Sequence, residues 1–284
     1  MKRFWCAFFM VWPIAAVVLC WLAPGWNWWF PAGPSGTGAA MSPLGERIDD
    51  LFYMILIITT VTFVGTQIGL GYVLFTGARR SDQPEDAEGE KAWFSHGSHN
   101  LEVVWSIVPA AVLLFIALYQ MEVWAEYRVQ DAFPKQVIRT GPLAEVTARQ
   151  FEWRIRYPGV DAEGNPLELK PDPQPTDLYT VNDLRLPSGQ PVMIWLRSED
   201  VQHSFFLPEL RVKQDAVPGL VIPVWFEAIK STEYSMLCAE LCGWGHYKMK
   251  SRLVATPEDE WRVWLQELQV EQNYDGVSDE SNDE

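Results

Sequence analysis

Between Cys238 and Met249 the chain sets two thiols, an imidazole and a thioether in the pattern Cys238-x-x-x-Cys242-x-x-x-His246-x-x-Met249. Thiolate and thioether are soft ligands that favour copper, and imidazole serves copper or zinc, so the set reads first as a transition-metal loop. On a helix the four side chains would form one stripe. Gly243 and Gly245 disfavour a helix interior and free the backbone to curl around an ion, which predicts a loop between strands. A Cys238 to Cys242 disulfide, plausible outside the cytoplasm, leaves His246 and Met249 unexplained. Structural zinc would take Cys238, Cys242, His246 and a fourth ligand such as His203, and has no use for Met249. Core packing explains a lone methionine better than one in such a cluster. Spacing by itself leaves copper, zinc and a disulfide open.

The elements that must position this loop fall into two contrasting halves. The chain has 284 residues, 48% of them hydrophobic, with 15 Trp. Phe4 to Leu22, Leu51 to Thr76 and Val103 to Val123 are apolar runs long enough to cross a bilayer as helices. Pro109 and Gly65, Gly69 and Gly71 inside them are better tolerated in membrane helices than in soluble ones. Lys2 and Arg3 precede the first run, and Arg79, Arg80 and Lys91 lie between the second and third, which orients both sites toward the cytoplasm. Residues 23 to 47 and everything after about 126 are then expected on the outer side. Trp26, Trp28, Trp29, Trp124 and Tyr127 suit aromatic belts at that surface. The first run is either an extra transmembrane helix or a signal peptide. Four cysteines, two of them in the first apolar run, exclude a disulfide scaffold. The net charge of −15 argues against nucleic acid and suits steering of a basic partner.

Past residue 136 short alternating runs are broken by turn signals: Glu145 to Tyr157, Tyr179 to Leu186, Val192 to Arg197, Val221 to Ala228 and Glu233 to Leu237. They predict an antiparallel sandwich or barrel. Pro158 to Pro175 reads as a surface loop. Thr256-Pro257-Glu258-Asp259-Glu260 opens a last helix with an N-cap, proline at N1 and acids in the first turn, and Trp261, Trp264, Leu265 and Leu268 form its apolar face.

Taken together the chain resembles subunit II of haem-copper cytochrome c oxidases, from about residue 42 to 268. The likeness rests on the metal loop, on Glu199-Asp200-Val201-Gln202-His203-Ser204, on Lys213-Gln214-Asp215-Ala216-Val217-Pro218-Gly219 as the turn after it, and on Leu101-Glu102-Val103-Val104-Trp105-Ser106-Ile107-Val108-Pro109. The fold implied is membrane-anchored all-β: a transmembrane helix hairpin plus one extra N-terminal span, then a cupredoxin-like β-sandwich or barrel. The organisation expected is 1–45 N-terminal apolar segment and linker, 46–128 helix hairpin, 129–268 copper domain, and 269–284 acidic disordered tail. The resemblance implies a binuclear copper centre, CuA, bridged by Cys238 and Cys242, with His203 on one ion and His246 on the other. Met249 and the Glu240 carbonyl would be weak axial ligands, and the Glu240 side chain would reach a magnesium or manganese ion at subunit I. Hydrogen bonds around the ligands would tune the centre, and Trp244 would help exclude water; Asp200 and Asp215 are assigned to this surrounding shell or to docking. Glu102, costly at a membrane boundary unless hydrated or useful, would stand at the mouth of a proton path.

One position departs from the family pattern. Gln150-Phe151-Glu152-Trp153 matches a segment in which two tryptophans flank one residue, the first of them receiving the electron; Phe151 stands there instead. Phe151 and Trp153 are still taken as the electron-receiving residues, and the donor is cytochrome c or a membrane-bound cytochrome. No Cys-x-x-Cys-His follows the copper domain, so no haem c is expected on this chain. The function implied is electron acceptance for a proton-pumping terminal oxidase of the cell (inner) membrane, partnered by subunit I, other oxidase subunits and lipid. A nitric oxide reductase subunit and a copper- or zinc-binding membrane adaptor are the alternatives.

Overall fold

The computed structural model describes residues 2–26, 28, 38–80 and 97–273. Among the described residues, three helices are long and apolar enough to cross a membrane: α1 (Lys2–Leu22), α2 (Pro43–Arg80) and α3 (His99–Arg128). Pro109 sits inside α3 without ending it. Trp29 and Lys91, assigned to the aromatic belt and the inner loop, lie outside the described residues. The chain divides into two compact units, Met1–Trp28 with Asp50–Glu122, and Trp29–Asp49 with Val123–Glu284.

In the second unit a short helix α4 (Lys135–Thr140) leads into ten strands and a closing helix. They are β1 (Pro142–Arg149), β2 (Glu152–Tyr157), β3 (Leu178–Val181), β4 (Asp183–Pro187), β5 (Pro191–Ser198), β6 (His203–Leu207), β7 (Val212–Ala216), β8 (Ile222–Glu227), β9 (Thr232–Cys238), β10 (Lys250–Thr256) and then α5 (Glu258–Asn273). One five-stranded sheet runs β3-β2-β1-β5-β8 and the other β4-β10-β9-β6-β7. Ile155, Ile194 and Leu196 from the first meet Phe205, Met236 and Leu253 from the second in one core, each fully buried. Trp261, Leu265 and Leu268 of α5 complete it.

The segment before the sheets is fastened to them rather than serving as a free linker. Met41 is buried; its N–H donates to Glu209 O (2.8 Å) and its carbonyl accepts from Ile229 N–H (3.2 Å). Arg211 donates to Asp49 Oδ1 at 2.8 Å and to Gly38 O at 2.6 Å. The end of α3 is held likewise: the Tyr127 hydroxyl donates to Lys213 O (2.6 Å) and accepts from Lys213 N–H (2.7 Å).

Several sequence expectations are corrected here. The run Glu145 to Tyr157 is two strands, because the chain turns at Gln150 and Phe151. Tyr179 to Leu186 is also two strands, in different sheets: Asn182 adopts φ 57°, a left-handed conformation that asparagine tolerates. The sandwich is not wholly antiparallel, since β1 pairs with β5 and β10 with β4 in parallel. Most of Lys213 to Gly219, read as a turn, is strand β7. Helix α5 continues past Gln269 to Asn273, and the rest of the acidic tail lies outside the described residues.

Candidate metal centre

The loop from Ala239 to Met249 joins two paired strands, as the glycines predicted, and the pairing brings the ligand side chains together. Phe205 stands opposite Cys238 where β6 meets β9, and Ala239 N–H donates to Ser204 O (3.0 Å), so His203 at the start of β6 lies beside Cys238. Cys238 N–H donates to Met249 O (3.2 Å), closing the loop at its far end.

The side-chain geometry follows. The two sulfurs are 3.9 Å apart. Cys238 Sγ lies 3.9 Å from His203 Nδ1 and 3.3 Å from Glu240 O. Cys242 Sγ lies 3.7 Å from His246 Nδ1 and 4.0 Å from Met249 Sδ. His203, Cys242 and Met249 are buried and Cys238 is half-buried. The donors of His203, Cys238 and Cys242 lie within 4.8 Å of one another. At 3.9 Å the sulfurs are far beyond a disulfide's ~2.0 Å. They fit instead two thiolates on a shared ion, each about 2.3 Å from it.

Supporting contacts aim these ligands. The other nitrogen of His203, Nε2, lies 2.9 Å from Asp200 Oδ1, which fixes the proton there and leaves Nδ1 free to ligate. Asp200 accepts further bonds from Val201 N–H (2.6 Å) and Gln150 N–H (2.7 Å). Partial burial would raise its carboxyl, but the His203, Gln150 and Val201 bonds outweigh that and hold it below the ordinary aspartate range. Burial likewise raises the Cys238 thiol, yet hydrogen bonds from His203 and the Ser204 backbone bring it down to about 6. Cys242 is pushed up to about 11 by burial and by the Cys238 charge beside it.

Two aromatic residues stand together at the metal loop. Trp244 is 77% exposed in this chain. Phe151 is half-buried with its ring against the loop backbone: a Cβ on Gly245 would meet ring carbons at 2.5 and 2.6 Å, and one on Gly243 at 3.2 Å. Trp153 is fully buried, its ring 6.3 Å from that of His203. Asp215 bonds Lys213 (3.1 Å) and Gln202 (3.2 Å), without a bond to any ligand side chain among the described residues. Glu102 belongs to the other unit, exposed in the first turn of α3. Sequence reasoning missed Gln150, whose Nε2 donates to Cys242 O (2.6 Å) while its N–H holds Asp200. A glutamine in a strand run carries no signal for that role.

Comparison with known proteins agrees with this geometry. The family description "Cytochrome C oxidase subunit II, periplasmic domain" matches residues 149–255, and "Cytochrome C oxidase subunit II, transmembrane domain" matches residues 35–123. The alternative cytochrome c oxidase subunit 2 of Bradyrhizobium diazoefficiens is 30% identical over 234 residues, covering 78% of this chain and 79% of that one. The chain belongs to the cytochrome c oxidase subunit II family. The cytochrome c oxidase subunit 2 of Alkalihalophilus pseudofirmus is 28% identical, with 82% of this chain and 62% of that one covered. The chain thus spans under two thirds of that relative. A crystal structure of the periplasmic domain of subunit II from Bradyrhizobium japonicum aligns at 28% identity and TM-score 0.36, over 45% of this chain and 93% of that one. As a member of this family the chain is a membrane-anchored subunit of an oxidoreductase, with a copper-binding, cupredoxin-like domain outside. The donors present, two thiolates, two imidazoles, a thioether and a carbonyl, fit the copper that the family implies.

Proposed function

We propose that this chain is the electron-accepting subunit of a haem-copper terminal oxidase, with a CuA pair held by Cys238, Cys242, His203, His246, Met249 and the Glu240 carbonyl. The observation that carries the reading is that each sulfur has its own imidazole, His203 Nδ1 at 3.9 Å from Cys238 and His246 Nδ1 at 3.7 Å from Cys242. A single zinc ion would gather both imidazoles at one centre, whereas one imidazole per sulfur suits two ions bridged by both sulfurs. When bound, such a copper pair takes up one electron shared across both ions with little change in geometry. The protein's part is to hold six donors in place before the electron arrives. Neighbouring strands β6 and β9 of one sheet fix His203 and Cys238, Asp200 sets the His203 tautomer, and Gln150 ties the loop carbonyl at Cys242 to the turn beneath it.

The electron comes from cytochrome c or a membrane-bound cytochrome and passes inward to haem in subunit I, where oxygen is reduced to water with proton pumping. Retention of both cysteines favours this over a quinol-oxidising relative. Glu102, exposed in the first turn of α3, is proposed to take up protons on the inner side for subunit I. A magnesium or manganese ion at the Glu240 side chain would lie at the contact with subunit I. The domain stands on the periplasmic side of the cell membrane, which the chain crosses more than once. The test is Cys242→Ser in the copper-loaded chain. Loss of the shared two-copper spectrum is expected, and its persistence would remove the ligand assignment.

A further inference from the structure

Resting on that reading, we infer that Trp244 is the residue through which the electron donor reaches the metal loop, in place of the aromatic at position 151. Phe151 is poorly placed for the role. Its ring is half-buried against Gly243 and Gly245, so it acts as a support for the loop. Trp244 stands on top of that support, its ring 5.2 Å from the Phe151 ring in edge-to-face contact and 77% exposed. Leu241 (78%) and Tyr247 (65%) are exposed on the same loop. Exposed apolar clusters of this kind mark contact surfaces, and tryptophan and tyrosine are the side chains that most often dominate them.

Connectivity argues the same way. Trp244 lies two residues from Cys242 on one side and from His246 on the other, so covalent bonds alone link its ring to two of the ligands, the Cys242 sulfur and the imidazole beside it. A path through bonds couples donor and acceptor better than one that must jump from ring to ring. The step is a bare electron transfer: the donor is oxidised by one electron, the metal loop is reduced by one, and no atom or proton moves.

The charge around Trp244 describes the donor. Lys248 Nζ stands 5.2 Å from the centre of the Trp244 ring and 5.6 Å from that of Tyr247, placing a positive charge in the patch. The partner is a one-electron carrier with an apolar cofactor edge for the ring to meet; the net charge of −15 steers a basic carrier toward the chain, and Lys248 opposes it locally.

The experiment uses the assembled oxidase with Trp244→Leu, Trp244→Phe and Phe151→Leu. Reduction is followed by stopped flow with a lysine-ringed soluble c-type cytochrome and with hexaammineruthenium(II), and cytochrome affinity is measured separately. Trp244→Leu should slow reduction by the cytochrome and weaken its binding by about tenfold or more, the size expected for truncating a central interfacial tryptophan. It should slow the small reductant less than threefold and keep the copper spectrum, and Trp244→Phe should recover part of the loss. Binding of this cytochrome by the wild type should weaken as salt rises, and Lys248→Glu should tighten it. Cytochrome kinetics and binding within twofold of wild type in Trp244→Leu would overturn the inference, as would an equal loss in Phe151→Leu with an intact spectrum. A wild-type chain lacking the two-copper spectrum would overturn the functional reading beneath it, a result separable from the kinetic one.

Discussion

Gly245→Ala isolates the support that Phe151 gives the metal loop. Gly245 has φ −89° and ψ 5°, open to any residue, so backbone strain contributes little. The added Cβ would instead stand 2.5, 2.6 and 2.9 Å from three Phe151 ring carbons. Carbon contacts are comfortable from about 3.5 Å, so ring and loop must part by roughly 1 Å. Overpacking of that kind costs about 1–3 kcal/mol, and each kcal/mol lowers the melting temperature of a domain this size by about 2–4 °C. Thermal unfolding of the metal-free full chain in detergent gives the shift. Phe151→Ala removes the obstacle, so the double variant should recover a coupling of about 1–2 kcal/mol. At Gly243, with φ 134°, alanine is strained with or without the ring, and the same cycle should recover less. Additive effects at Gly245 and Phe151 would refute the packing argument.

Substitutions at three other positions test further contacts. Arg156 is buried between Glu145 (3.2 Å) and Asp177 (2.6 Å); Arg156→Met should destabilise the domain by about 3–5 kcal/mol, and a melting temperature near wild type would show the cluster to be hydrated. Asp200→Asn should weaken copper affinity by about 10- to 100-fold in chelator competition, because the Nε2 proton of His203 loses its carboxylate; unchanged affinity would remove Asp200 from the centre. Since the folded state depresses the Asp200 pKa, its contribution to stability is present above the ordinary aspartate value of about 3.9 and lost as pH falls through the lower folded value, so Asp200→Asn should flatten that acid limb of the melting curve. Tyr157 is fully buried and accepts Arg185 N–H at 2.7 Å, so Tyr157→Phe should cost about 1–3 kcal/mol, again read by thermal unfolding.

The sequence carried the ligands more clearly than the frame. Soft donors at Cys238, Cys242, His246 and Met249 declare their chemistry by type and spacing, and the loop between strands follows from Gly243 and Gly245. The three apolar helices were legible from length alone. Strand ends were not: the left-handed turn at Asn182 is a local choice that alternation cannot reveal, and it sends β3 and β4 to different sheets. The parallel pairing of β1 with β5 is a long-range contact with no local signature. Asp200 was legible as a neighbour of His203 three residues on, whereas Gln150 acts only because the β1 to β2 turn meets the metal loop in space. For the same reason the exposure of Trp244 and the burial of Phe151 had to be seen rather than read.

The central claim is that the loop holds a copper pair, and electron paramagnetic resonance with near-infrared absorption of the copper-loaded full chain tests it most directly. The account predicts two coppers per chain and a multi-line signal from one unpaired electron shared equally between them. A pattern from a single copper, or a silent site filled by zinc, would contradict it.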